Sequence, residues 1–399
     1  MRIGMITDAY KPYISGVTNY IALNKKQLES LGHEVFVFTF GDTDFQDDEA
    51  NIIRSRGLPL METGYYINFS YSRPARRLLY TMDVVHVHHP FQGGQLALRY
   101  CRPRGIPIVF TNHSRYDLYA QIYVPLLGDL IGETMLQSYL PRFCRACDLV
   151  IAPSAGMRQI MREFGVDSPI EVIPNGVDLS LFYRPNQPRS RAEFGLSDKD
   201  VVVIYVGRLG PEKNLPFLLR AFAGLAETFE NAHLLLVGDG SERENLEDRA
   251  ARSGIAERVH FTGLVPYEQL PSYLALGDIF ATASISEVHP LSVIEAMAAG
   301  LPVVGITSPG VGDTIVDGVT GYLASHDLAA FTARLARLVA EANLRRQMGK
   351  AAQKEARRYD IQQTCQTVLG HYRRLAAASR RPKSSLRARL TRLIDRWSG

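Results

Sequence analysis

The chain has 399 residues, 46% apolar and 22% charged, with 32 Gly and 21 Pro. That composition excludes disordered, fibrous and low-complexity classes, and the length suits two or three domains needing no disulfide staples. The formal net charge of +4 is unevenly spread: His371 to Gly399 holds nine Lys/Arg and one acid, Asp395, for +8, leaving −4 on the rest.

In chain order, short apolar and β-branched runs alternate with helix-length segments. The first series of expected strands is Ile3–Ile6, Val35–Thr39, Val84–Val87, Ile108–Thr111 and Leu149–Ala152. The second is Val201–Val206, His233–Val237, Val259–Thr262, Ile279–Ala281 and Val303–Ile306. Continuous apolar strands separated by helices imply parallel sheets covered on both faces. The pattern pauses at Asn175-Gly176-Val177-Asp178 and the polar stretch Tyr183–Arg191. Two doubly wound α/β domains joined near residue 180 are therefore expected, with ligands at the carboxyl ends of their strands.

Two loops after strands carry candidate chemistry. The first, Gly207-Arg208-Leu209-Gly210-Pro211-Glu212-Lys213-Asn214, turns on two glycines and brings two cations toward one point. An Arg fork and a Lys point charge suit a diphosphate; two ordinary surface cations are the bland alternative. The second runs from Ser286 to Pro302. Pro290 fits the first turn of a helix, and Gly300 with Pro302 fits its end. Free amides at that start suit a phosphate, while Glu287 and Glu295 on either side suit hydroxyls. Glu295 lies among Val293, Ile294, Ala296 and Met297, and an acid in an apolar helix needs a partner.

The E-x7-E spacing of Glu287 and Glu295, followed by Ala296-Met297-Ala298-Ala299-Gly300-Leu301-Pro302-Val303, resembles the signature of the family-4 retaining glycosyltransferases. Gly207–Asn214 is similar to that family's G-R-L-x-x-E-K-N loop, Gly238-Asp239-Gly240 to its V-G-x-G turn, and Ile173–Asp178 to its I-P-N-G-V-D hinge. The matches run in order from Asp8 to about Tyr322. The resemblance implies a GT-B fold, two Rossmann-like domains facing an interdomain cleft. It divides the chain into an acceptor-binding domain at 1–178, a nucleotide-sugar-binding domain at 179–358, and a basic amphipathic tail at 379–399. A helix around 359–378 is expected to pack back on the first domain.

Carried over residue by residue, the resemblance has Arg208 and Lys213 bind the donor diphosphate and stabilise the departing nucleotide. It assigns ribose hydroxyls to Glu295 and a hydroxyl of the transferred sugar to Glu287. Backbone around Val288, His289, Pro290 and Leu291 would support the phosphate and sugar, with Gly238 on the donor side. Gly16 would let the backbone approach the donor phosphates, and His113 would sit by the anomeric carbon and the acceptor. Val288-His289 replaces the Phe-Gly of many relatives, and Ser308–Asp313 replaces a Gly-Gly-x-x-Glu loop. The implied reaction is retaining transfer without an obligatory covalent intermediate, with preorganised cations and amides stabilising the leaving diphosphate. No metal or other cofactor is expected; the nucleotide sugar is a co-substrate.

Other motifs read as structure. Asp42-Thr43-Asp44 and Asp198-Lys199-Asp200 have the D-x-D form of metal-dependent glycosyltransferases but lie in polar, turn-like stretches. His86, His88 and His89 close a strand whose neighbouring side chains point to opposite faces. One is expected to line the acceptor cleft and the others to be structural. Cys144 and Cys147 have no second pair and read as packing. Gly238-Asp239-Gly240 lacks the further glycine of a dinucleotide fingerprint, and no G-x-S-x-G or H-E-x-x-H occurs.

For the acceptor, Leu386, Leu390, Leu393 and Trp397 share one helical face flanked by Arg387, Arg389, Arg392 and Arg396. That is the pattern of an interfacial helix on anionic lipid; a docked helix or a frayed tail is the alternative. Arg73, Arg76 and Arg77 add charge to the first domain. Thr111–Tyr119 resembles the H-x-x-Y-x-x-Y region of diacylglycerol glucosyltransferases, and Tyr123–Leu127 suits acyl chains or ordinary packing. Four Cys, no membrane span and no signal-peptide pattern give a reducing cytoplasmic location, here peripheral to the inner face of the cell membrane. The expected activity is glucosyl transfer from UDP-glucose to a diacylglycerol-type lipid. The runner-up is mannosyl transfer from GDP-mannose to a phosphoinositide or cell-envelope acceptor. A non-catalytic sugar-nucleotide or membrane-binding module and an epimerase rank below these. Nucleic-acid binding ranks last, since the tail has no interleaved stacking aromatics.

Overall fold

The computed structural model describes residues 1–60, 65–118, 128–183, 185 and 189–379. Within them the strands are β1 (Arg2–Ile6), β2 (Glu34–Gly41), β3 (Ile52–Arg56), β4 (Leu58–Pro59), β5 (Tyr66–Ile67), β6 (Val84–Val87), β7 (Ile108–Thr111), β8 (Leu149–Ala152) and β9 (Ile170–Val172). After residue 200 come β10 (Val201–Val206), β11 (Ala232–Val237), β12 (Val259–Phe261), β13 (Ile279–Thr282), β14 (Val303–Ile306) and β15 (Gly321–Ala324). They form two parallel sheets, ordered β3-β2-β1-β6-β7-β8-β9 and β12-β11-β10-β13-β14-β15, beside a small β4-β5 ribbon. Both orders reverse direction beside the first strand of the sheet, which leaves a crevice at the carboxyl ends.

Period-two alternation sorts each strand onto two cores. In the first sheet, Ile3, Met5, Val35 and Val37 pack on Tyr20, Ile21 and Leu28 of helix Gly16–Ser30. Ile6, Phe36, Phe38, Val85 and Phe110 face the opposite way, onto Leu79, Leu96 and Phe143. In the second sheet, Val201, Val203 and Tyr205 meet Leu218 and Phe222, while Val202, Ile204 and Val206 meet Ile294 and Met297. Both sheets are thus buried on both faces.

The strands absent from the sequence reading lie at sheet edges. Ile52–Arg56 carries two arginines, Ile170–Val172 has only three residues around Glu171, and Gly321–Ala324 opens on glycine. An edge strand has one partner and tolerates polar and short sequences that a central strand does not.

The chain crosses between the sheets twice, and the crossings are bonded together. Val177 N–H donates to the Tyr359 carbonyl at 2.9 Å, and Ile361 N–H donates to the Val177 carbonyl at 3.0 Å. A Cβ on Gly176 would collide with Thr364 Oγ1 and come within 2.8 Å of Ile361 Cα, so only glycine fits there. The helix Ile361–Ala378 then lies on the first sheet, where Cys365, Val368, Leu369 and Tyr372 join the core of Ile3 and Met5.

Candidate functional site

After β10 the backbone turns at Gly207 (φ 150°), and after β11 at Gly238 (φ 137°). A Cβ on Gly238 would run into the Gly207 carbonyl, so these two loops lie backbone against backbone. Leu209 N–H donates to the Asp239 carbonyl at 2.9 Å and holds them together. Asn214, in the left-handed region at φ 52°, then starts the next helix and donates from Nδ2 to the Ala283 carbonyl at 3.2 Å. The loop carrying Arg208 and Lys213 is thereby fastened to the loop after β13.

That fastening brings the charged residues together. Lys213 Nζ donates to Glu287 Oε1 at 2.7 Å, both side chains being mostly buried. Arg208 Nη2 donates to Oε1 of the buried Glu212 at 2.7 Å. Its Nη1 reaches the hydroxyl of Tyr13, on the first domain, at 3.4 Å. The hydroxyls of Ser284 and Ser286 donate to the Glu212 carbonyl at 3.3 and 3.2 Å, pinning the short turn that presents Lys213.

The helix following Glu287 is Leu291–Ala298, with Pro290 at its N-cap rather than in its first turn. No side chain caps that start, which leaves first-turn amides for an anion, although Pro290 itself has no N–H to offer. The helix ends as its Gly300 implies. At φ 84° Gly300 donates to the Met297 carbonyl at 3.0 Å, and Leu301 donates to that of Ala296 at 3.0 Å. Glu295, inside the helix, is buried and accepts from the Tyr267 hydroxyl at 3.0 Å. Burial pushes its carboxyl up to about 7, with the Tyr267 bond acting the other way.

The side chains before the helix are not available to a ligand. Val288 is buried in the same apolar cluster as Met157 and Ile160 of the first domain. His289 is buried with its ring edge on Tyr359, 5.0 Å between centres, and burial lowers its imidazole to about 3. Asn175 Nδ2 donates to the His289 carbonyl at 3.0 Å. Leu291 is buried as well. Any contact from Val288, His289 or Leu291 to a donor is therefore through the backbone.

On the first domain, Gly16 opens a helix capped by a reciprocal Ser15–Thr18 capping box. A Cβ on Gly16 would meet nothing within 4 Å, so this start is open. The same helix carries Tyr20, whose ring lies 4.7 Å from that of His113 just past β7. His113 Nε2 lies 3.0 Å from Nδ1 of His88. His89 Nδ1 accepts from Asp8 N–H at 3.2 Å, and Asp8 Oδ1 accepts from Gly93 N–H at 2.6 Å. Burial raises the Asp8 carboxyl to about 7 against those backbone bonds.

Tyr13, Glu212 and Tyr267 escaped the sequence reading as site residues, whereas His88 is one of the three histidines of which one is expected to line the acceptor cleft. Glu212 lies inside the Gly207–Asn214 loop and Tyr13 three residues before Gly16, but nothing local marks either as a partner of Arg208. Tyr267 reaches Glu295 from 28 positions away, with no sequence signal at all. The D-x-D stretches are turns: Asp44 N–H donates to Asp42 Oδ1, and Asp200 accepts from Ser197 N–H and Oγ. Among the described residues no three His, Cys, Asp or Glu side chains converge as a metal site. Cys144 is buried in the core, and Cys147 Sγ donates to the Phe143 carbonyl. Tyr119, Tyr123–Leu127 and the tail with Leu386–Trp397 lie outside the described residues. No helix among the described residues is long and apolar enough to cross a membrane.

Comparison with known proteins bears on the family and the fold. The family model for glycosyl transferases group 1 matches residues 186–355, and that for Glycosyltransferase Family 4 matches residues 14–181. An alpha-monoglucosyldiacylglycerol synthase of Streptococcus pneumoniae is 32% identical over 341 residues, covering 82% of this chain and 77% of that protein. Among solved structures, a sucrose-phosphate synthase from Thermosynechococcus elongatus superposes with a TM-score of 0.78 at 22% identity, covering 95% of this chain and all of that one. Anabaena HepE in complex with UDP and glucose gives 0.73 at 20% identity, covering 93% and 99%.

Proposed function

The chain belongs to the family-4 glycosyltransferases, with the GT-B fold, and on that premise we propose that it transfers glucose from UDP-glucose to a diacylglycerol-type lipid with retention at the anomeric carbon. The observation that carries this reading is the 32% identity, over most of both chains, to a protein named for building an α-glucosyl diacylglycerol. The Lys213–Glu287 pair with Arg208 on the same loop, and Glu295 on the helix that follows Glu287, support transfer chemistry over mere binding.

The reaction must stabilise negative charge on the leaving diphosphate while positive charge develops on the sugar. Arg208 and Lys213, with the uncapped amides of the helix at Leu291, supply fixed positive charge in the cleft without a metal. Lys213 is held by Glu287 at 2.7 Å; a diphosphate competes for the ammonium and frees Glu287 to accept from a sugar hydroxyl. Glu295 accepts from ribose hydroxyls, with Tyr267 orienting it. Gly16 leaves room for the donor phosphates, and His113 faces the anomeric carbon and acceptor. The basic tail from residue 380 attaches the enzyme peripherally to anionic lipid.

The test is a panel of radiolabelled sugar nucleotides incubated with the protein and a bacterial lipid extract. Label from UDP-glucose entering the organic phase is the expected result. Organic label from GDP-mannose alone would transfer the reading to a mannosyltransferase, and release of free sugar only would remove the lipid acceptor.

A further inference from the structure

A chain of aromatic side chains runs from half-buried His113, just past β7, through buried His88 and His86 to the helix Ile361–Ala378. Nε2 of His113 lies 3.0 Å from Nδ1 of His88, whose ring centre lies 4.3 Å from that of His86. His86 is held at both nitrogens, Nδ1 by the Tyr372 hydroxyl at 2.5 Å and Nε2 by Thr111 Oγ1 at 2.7 Å. Tyr20 packs against both His88 and His113. The rings behind His113 are therefore fixed in place.

Burial lowers all three imidazoles, so each is neutral at physiological pH, with one N–H and one bare nitrogen. Two proton arrangements fit the His88–His113 contact. If His113 donated from Nε2, His88 would carry its own proton on Nε2. That atom is buried and has no hydrogen-bond partner. If His88 donates from Nδ1, its buried Nε2 is only a bare lone pair. A buried N–H without an acceptor is the costlier and rarer of the two. The tautomer of one imidazole nitrogen is set by the bond the other makes.

We propose that His88 is a positioning residue that donates from Nδ1 to Nε2 of His113, so that His113 presents Nδ1–H to the cleft as a hydrogen-bond donor. The group facing it is then an acceptor oxygen, on the transferred sugar or on the incoming hydroxyl. Without His88, His113 is free to take the opposite tautomer and to face the same oxygen with a lone pair. The inference rests on the proposed place of His113 beside the reacting sugar.

Two measurements on the full chain test it. Long-range proton–nitrogen NMR on protein labelled with ¹⁵N-histidine, with His113 signals assigned through His113→Gln, reads the tautomer directly. The wild type is expected to show His113 protonated on Nδ1, and His88→Leu to lose that preference. In transfer assays His88→Leu lowers kcat about ten- to hundredfold, the scale for removing a supporting bond to a working histidine, with donor KM within about twofold. His88→Asn places an amide N–H where Nδ1 stood and restores most of kcat, whereas a purely packing role would favour Leu over Asn. His113 protonated on Nε2 in the wild type, or unchanged kcat in a folded His88→Leu, would overturn the inference. The NMR result does not depend on which sugar or lipid is used, so failure of the proposed function leaves it standing or falling by itself.

Discussion

At Lys213 the ammonium already has a carboxylate partner 2.7 Å away, so on the proposed reading an entering diphosphate has to displace Glu287. Replacing Lys213 by Ala removes charge stabilisation that matters most as the phosphate leaves. Turnover is expected to fall about 10²–10³-fold with the circular dichroism spectrum unchanged. Near-normal turnover in that variant would remove the role. Glu295 makes a pH prediction. With its carboxyl raised to about 7, it is a neutral acid below that pH and a full acceptor above it. On the proposed assignment of Glu295 to ribose hydroxyls, donor kcat/KM, which reports free-enzyme ionisations, is expected to rise with pH through about 7. Glu295→Gln flattens that limb. Asp8, also raised to about 7, is untouched by that substitution, so an unchanged profile in the Gln variant would assign the limb to Asp8 instead.

At the scale of elements, central strands and motif loops were legible because each is written in a contiguous run. Val201–Val206 is apolar throughout and sits mid-sheet between two partners. The Gly300 helix end is likewise local, since a left-handed residue after the last turn is a glycine's place. What resisted reading was pairing across distance. Glu295 finds Tyr267, Arg208 finds Tyr13, and His88 finds His113, each through topology that local residue types do not encode. Val288 and His289, where many relatives have Phe-Gly, are expected to support the donor through their backbone; their side chains are buried, Val288 with Met157 and Ile160 of the first domain and His289 against Tyr359. Gly176 carries the prediction for this scale. Because a Cβ there meets Thr364 and the Ile361 backbone, Gly176→Ala must push the two chain crossings apart. A loss of about 1–3 kcal/mol in unfolding free energy is expected, the usual cost of overpacking. A melting temperature within error of the wild type would contradict that account of the hinge.

At the scale of the whole molecule, two sheets are joined by paired crossings, and the last described helix, Ile361–Ala378, belongs to the core of the first domain. The chain therefore leaves its final described residue on that domain, where Ser379 Oγ donates to the Gly105 carbonyl at 2.8 Å. From there the tail carries seven Lys/Arg against one acid between residues 380 and 399. At roughly 1 kcal/mol per cation near an anionic bilayer, that charge suffices for reversible attachment. Deleting residues 380–399 is expected to weaken sedimentation with anionic liposomes while sparing transfer to detergent-dispersed acceptor. Undiminished liposome binding would retire the tail as the anchor.

Retaining glucosyl transfer to diacylglycerol leaves a product whose linkage can be read. The protein is incubated with UDP-glucose and diacylglycerol in anionic vesicles, and the extracted lipid is examined by proton NMR. The expected product is a monoglucosyl diacylglycerol whose anomeric coupling is that of an α-linkage, retained from the donor. A β-linked product, or UDP-glucose consumed to free glucose with no glycolipid formed, would contradict it.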